Sequence, residues 1–279
     1  MKNRRLALLL AVIMIFSVFM TACGKDEVKK PGETATPEVS EIPVPTETPA
    51  PTETPAPTII IAPPDPTAPP EVTPTPEPVP YLDRLIFVGD ANTYGLKYYN
   101  MLSGGSATTQ VWTPTKGTLA MTGLRDELIY YPETGEEITI AQATAEKKPE
   151  YIVLTVGMGG IADADETSFK KEYKGLIKSI LSASPETVII CNSLYPVEAS
   201  YDEKDNGITN TAIDITNIWI AAVASETDTV YMDTASVLKG ADGSLIPGYG
   251  TGHGIHIGPA GYTAVLNYLN EHQISETEG

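Results

Sequence analysis

Leu85-Ile86-Phe87-Val88-Gly89-Asp90-Ala91-Asn92-Thr93-Tyr94-Gly95-Leu96 opens the part of the chain that reads as folded. An apolar run from Leu85 to Val88 predicts a strand, which delivers the chain to Gly89-Asp90. A short helix is predicted to follow over Thr93 to Leu102. Further on, Gln110 to Trp112 is a candidate second strand. Tyr151-Ile152-Val153-Leu154-Thr155-Val156 is apolar and β-branched without a break, the pattern of a strand covered on both faces. It ends in Gly157-Met158-Gly159-Gly160.

The same alternation continues to the end of the chain. Phe169, Tyr173, Leu176, Ile177 and Ile180 recur at helical spacing, with Pro185 just beyond. Thr187 to Asn192 reads as a strand, Ile208 to Ser225 as an amphipathic helix, and Val230 to Met232 as a short strand. Pro259 suits the first turn of a last helix running through Leu269. Strands that alternate with helices predict an α/β domain, a parallel sheet with helices on both faces. In such sheets ligands bind at the carboxyl ends of the strands, where Gly89-Asp90-Ala91 and Gly157-Met158-Gly159 both fall.

On these residues the chain resembles the SGNH/GDSL hydrolases, over nearly all of Tyr81 to Gln273. The resemblance implies a three-layer α/β/α, flavodoxin-like parallel sheet and a serine esterase site that uses no cofactor. It is closest to a branch of bacterial lipoproteins that carries a stretch like Asp233-Thr234-Ala235-Ser236-Val237-Leu238. The family's catalytic positions carry over one at a time. The nucleophilic serine falls on Ala91, and the oxyanion-binding asparagine falls on Gly159. The histidine is retained as His256. The aspartate three residues before it falls on His253. Asp90, Asn92 and Gly157 are implied to line the site. A glycine N–H that would share the oxyanion falls on Gly117 or Gly123.

A methyl group cannot attack an ester. Loss of the serine in a comparable triad costs about 10⁶ in kcat, and loss of one oxyanion donor costs about 10²–10³. The resemblance therefore implies an impaired hydrolase, a pseudoenzyme holding an acylated or glycosylated cell-wall component in the old cleft. Two alternatives are an active esterase with displaced catalytic groups and a non-catalytic interaction module. If the positions are rightly carried over, refitting 91, 159 and 253 together is expected to revive ester hydrolysis.

Other residues around the site carry weaker signals. Thr93 is the nearest hydroxyl, but two residues along a helix turn it roughly 200° from Ala91. His253 and His256 with Asp90 would be a zinc set, although a glycine-rich loop does not fix the rings as a helix would. Trp112, Tyr98, Tyr99, Tyr130 and Tyr131 are candidates either for a sugar cleft or for core and rim. Asp165 reads as a helix cap.

The N-terminal third is of another kind. Lys2, Arg4 and Arg5 precede an apolar run from Leu6 to Met20 and then Thr21-Ala22-Cys23. The run is short for a membrane span and has the layout of a secretory signal, residues 1–22. Small residues before a cysteine resemble the bacterial lipobox. That implies diacylglycerol on Cys23 and an extracytoplasmic, membrane-anchored protein of Gram-positive type. Residues 23–80 are rich in Pro, Thr and Glu, with Pro-Thr-Glu-Thr-Pro-Ala repeated from Pro45 to Ala56. Such a segment lacks the apolar side chains to offset ordering entropy and reads as a polyproline-II spacer.

Residues 81–279 hold 12 Lys and Arg against 26 Asp and Glu, a net charge of −14, with no basic cluster. Nucleic acid is thereby excluded as a partner. Membrane contact is expected only through the lipid on Cys23, and a cell-wall glycan or acylated polysaccharide is the expected ligand. Cys191 sits in a buried-strand pattern and reads as an inert packed thiol.

Overall fold

The structure, a computed structural model, describes residues 79–204 and 206–274. The signal segment, Cys23 and the linker up to residue 78 lie outside the described residues. So do both chain ends named in the boundaries 1–22, 23–80 and 81–279.

The elements in chain order are β1 (Leu85–Gly89), α1 (Ala91–Tyr98), β2 (Val111–Trp112), β3 (Leu128–Tyr131), β4 (Glu136–Thr139), α2 (Ile140–Lys147), β5 (Tyr151–Thr155), α3 (Glu166–Ala183), β6 (Val188–Asn192), the single turn α4 (Ala199–Asp202), α5 (Asn210–Glu226), β7 (Val230–Met232) and α6 (Pro259–Glu271). Five strands form one sheet in the order β2-β1-β5-β6-β7, and every pairing in it is parallel. This is the flavodoxin-like strand order. Its central register sets Leu85 beside Tyr151 and Gly89 beside Thr155.

The period-2 alternation of strand side chains divides the core. Ile86, Val88, Ile152 and Leu154 face a layer that contains Phe169, Tyr173 and Leu176 of α3 and Ile213, Ile220 and Val223 of α5. Phe87 and Val153 face the opposite layer, with Leu96 of α1 and Tyr262, Leu266 and Leu269 of α6. Both faces of the sheet are covered, which is why its strands are apolar at consecutive positions. Cys191 is buried in the first layer, where burial pushes its thiol up to about 11, so it is inert at neutral pH.

Elements β3, β4 and α2, which the sequence reading lacked, and α1, whose bounds differ, depart from that reading. Leu128–Tyr131 and Glu136–Thr139 pair as an antiparallel hairpin outside the main sheet. Helix α2 follows at once, started by a capping box in which Thr139 and Gln142 bond each other's backbone N–H. Helix α1 also begins two residues earlier, at Ala91, and ends at Tyr98. Asp165 caps α3 as read, accepting from the Ser168 N–H at 3.0 Å.

Candidate functional site

The site is built at the carboxyl end of β1. Gly89 permits the strand to turn directly into α1, because a Cβ there would stand 2.1 Å from Thr93 Oγ1 and 2.6 Å from the Thr155 carbonyl oxygen. Asp90 caps the helix, its carboxylate accepting from the Asn92 N–H at 3.0 Å. Burial pushes the Asp90 carboxyl up to about 6, and its backbone hydrogen bonds offset only part of that. Thr93 is buried beneath this turn, packed over Gly89, and offers no hydroxyl to the cleft.

Asn92 ties the start of the domain to its end. Its side-chain Nδ2 donates to the Ile255 carbonyl and its Oδ1 accepts from the Ile257 N–H, both at 3.1 Å. Its own carbonyl accepts from the Tyr262 hydroxyl at 2.7 Å. The loop carrying His256 is thereby fastened over α1. On the neighbouring strands Asn192 donates to Thr155 Oγ1 at 3.1 Å and accepts from Thr234 Oγ1 at 2.8 Å. Ser193 Oγ accepts from the Ala235 N–H at 2.8 Å. The Asp233–Leu238 stretch is fixed by these buried bonds.

A cavity of about 200 Å³ is lined by Asp90, Ala91, Asn92, Gly117, Gly159 and His256, among others. Positions far apart in sequence and singled out there thus meet in one place. Gly157 is different: it is buried, and a Cβ on it would lie 3.1 Å from the Phe169 ring, so it faces the core and not the cleft. His253 is exposed and does not line this cavity, though its charge acts on His256. The His256 imidazole is held below its ordinary value, first by burial and then by His253. A triad needs the reverse, a carboxylate that raises it. Among the described residues no group of three His, Cys, Asp or Glu is placed to hold a metal, so the zinc set of Asp90, His253 and His256 is not assembled.

The donors around Ala91 are taken. The Ala91 N–H donates to the Gly117 carbonyl at 3.0 Å, and the Gly117 N–H donates to the Pro114 carbonyl at 3.0 Å. Of the two glycines left open by sequence, Gly117 is the one beside Ala91. The Gly123 N–H is bonded to Glu172 Oε2 at 3.1 Å, away from this cavity. Position 159 has no room for a side chain, since a Cβ there would stand 2.3 Å from the Leu119 carbonyl oxygen and 2.6 Å from Thr118 Oγ1. The expectation that refitting 91, 159 and 253 together would revive hydrolysis is therefore corrected at 159: the backbone of Leu119 occupies the space an asparagine would need.

A second cavity, of about 400 Å³, lies on the other side of Ala91 and shares Asp90, Ala91 and Gly117 with the first. Of the five aromatic residues weighed for a sugar cleft, only Tyr130 lines it. Trp112 and Tyr131 are buried and pack edge to face at 5.6 Å, while Tyr98 and Tyr99 form an edge-on pair of their own. Tyr94 and Lys97 line it too, and sequence reading passed over both. Their spacing from Ala91 was the available signal, since residues three apart share a helix face.

The model of the family described as GDSL-like lipase/acylhydrolase matches residues 87–264. None of the curated proteins matches the sequence. Among solved structures, a protein from Streptococcus pneumonia described as a platelet activating factor is 19% identical, with 68% of this chain and 83% of that one covered and a TM-score of 0.50. A lipolytic protein of the G-D-S-L family from Desulfitobacterium hafniense is 18% identical, covering 67% and 97%, with a TM-score of 0.47. An acylhydrolase from Bacteroides fragilis is 15% identical, covering 70% and 88%, with a TM-score of 0.48. The first of these likenesses is one of fold.

Proposed function

The chain belongs to the GDSL-like lipase/acylhydrolase family, a family of hydrolases, and from that membership we propose that this member binds in the cleft where its relatives cleave. Ala91 stands where the family's nucleophile is expected, at the strand-to-helix turn facing the His256 cavity. The observation that carries the reading is the hydrogen bond from the Ala91 N–H to the Gly117 carbonyl. An oxyanion needs that N–H free, and here a carbonyl oxygen, the wrong end of a peptide dipole, points at it. The absent nucleophile, the occupied N–H and the filled space at Gly159 are three separate obstacles. The first alone is worth about 10⁶ in kcat.

The ligand we propose is an acylated or glycosylated component of the cell wall. The domain would be held near it by lipid on Cys23 and by the proline-rich spacer of residues 23–80. The experiment is hydrolysis of p-nitrophenyl acetate by the full chain beside its His256→Ala variant. Equal, background rates are expected. Turnover that disappears in His256→Ala would show a working esterase and overturn the reading.

A further inference from the structure

Large apolar side chains exposed on a soluble domain are informative when they cluster. Seven are exposed among the described residues, and Tyr94, Tyr98, Leu128 and Tyr130 belong to just two elements, α1 and β3. Those two elements flank the 400 Å³ cavity, and Tyr94 (48% exposed) and Tyr130 (40% exposed) line it. A volume of this size suits one small-molecule unit.

Tyrosine offers an apolar face with a polar edge, which matches a pyranose ring: its C–H groups gather on one face and its hydroxyls ring the edge. The cavity's remaining polar groups are unequal. Asp90 is turned to the Asn92 N–H that it caps. Lys97, half-buried in the last turn of α1, makes no ion pair among the described residues and is the cation lining this cavity. In a domain of net charge −14, a lysine with no ion pair among the described residues, beside two exposed tyrosines, marks where an anionic ligand is tolerated.

We propose that the cavity between Tyr94 and Tyr130 is a subsite for one anionic sugar unit, a pyranose carrying a carboxylate, with the ring against the tyrosines and the carboxylate on Lys97. The proposal rests on the reading of the cleft as a binding site and adds to it the ligand's charge and the residues that select it. Because this cavity shares Ala91 and Gly117 with the His256 cavity, a neighbouring unit of the same glycan would lie over the disabled centre.

Two disaccharides test it: N-acetylglucosaminyl-β-1,4-N-acetylmuramic acid and N,N′-diacetylchitobiose. They differ only in the lactyl ether that bears the carboxylate. Binding to the full chain, measured by titration calorimetry, is expected to be at least tenfold tighter for the acidic sugar. Lys97→Gln is expected to bring the two to parity. Tyr130→Ala is expected to weaken both by tenfold or more. These side chains are solvent-accessible, so the variants should fold, and an unchanged melting temperature checks it. If both sugars bind equally to the wild type, or if discrimination survives Lys97→Gln, the subsite is wrong while the binding reading stands. The same holds if Tyr130→Ala leaves both affinities unchanged. If neither sugar binds the wild type, the subsite falls together with the glycan-binding reading.

Discussion

Asn92 grips the chain on either side of His256: the Asn92 amide bonds the Ile255 carbonyl and the Ile257 N–H, both at 3.1 Å. The residue after the turn at Ala91 thus brackets His256, the position where the family resemblance expects the histidine. Asn92→Ala would leave a carbonyl and an N–H without partners in a largely buried position. The cost should be on the order of 2–4 kcal/mol, or a fall in Tm of roughly 5–15 °C for a domain of this size. Thermal unfolding of the variant, with amide exchange read at Ile257, checks it; a Tm within 1 °C or so of wild type would show that the clamp is not stabilising.

Gly159→Asn should destabilise the domain and restore no activity, because its Cβ would press on the Leu119 backbone. Overpacking of this kind costs about 1–3 kcal/mol, more where backbone must move. Ala91→Ser, by contrast, is expected to fold normally and to stay unlabelled by a fluorophosphonate probe, since its N–H would still be bonded to Gly117. Rapid labelling of Ala91→Ser would mean that this peptide turns over readily and that the oxyanion site is open in solution.

Burial pushes the Asp90 carboxyl up to about 6 from an ordinary 3.8. Between these values the folded state holds the extra proton, so this group makes stability fall as pH rises from about 4 to about 6 and adds no further change above that. Asp90→Asn keeps an oxygen to cap Asn92 and removes a half-buried charge. It should therefore raise Tm by about 3 °C or more at pH 7.5 and leave it nearly unchanged at pH 3.5. Calorimetry at the two pH values decides; equal shifts at both would argue against a raised Asp90 carboxyl.

The His256 ring should titrate below 6.5, seen by NMR of its ring protons. Removing the neighbouring positive charge with His253→Gln should move the midpoint up, though not fully to the ordinary value, because burial is the larger cause. His253→Asp should move it further. A midpoint unchanged by both substitutions would mean that His253 is too distant to matter.

Cys23 is expected to carry diacylglycerol, with residues 1–22 removed. Mass spectrometry of the native N-terminus reads this directly. Retention of Met1 to Ala22, or an unmodified Cys23, would remove the anchor from the reading.

The sheet was legible because burial on both faces leaves an unmistakable trace: β1, β5 and β6 are apolar at consecutive positions. The hairpin was not. Leu128 and Tyr130 point outward from it, so its sequence lacks the apolar-in, polar-out alternation that marks an edge element. The site was legible in outline, since Ala91, Gly159 and His256 line one cavity. What sequence could not carry was direction. Whether a glycine presents its N–H or its carbonyl, and whether Gly157 faces cleft or core, depends on backbone torsions that residue identity leaves open. Nor could spacing tell that Leu119 would fill the space beside Gly159, because that contact joins two loops distant in sequence.

The bonds from Asn92 to Ile255, Ile257 and Tyr262 span 163, 165 and 170 residues. The first helix of the domain is finished by the last. During synthesis, β1 and α1 emerge long before anything that can satisfy Asn92, and β1 must also wait for β5. Contacts of such separation slow folding, because chain entropy is lost well before they form. A chain stopped before Tyr262 would leave the groove at Gly95, where the tyrosine hydroxyl sits, without its filling. These closing contacts can therefore form only once nearly the whole length of the domain is available. If residues 1–22 direct export as expected, this delay would be an advantage, since a domain that cannot close early cannot jam a translocation channel.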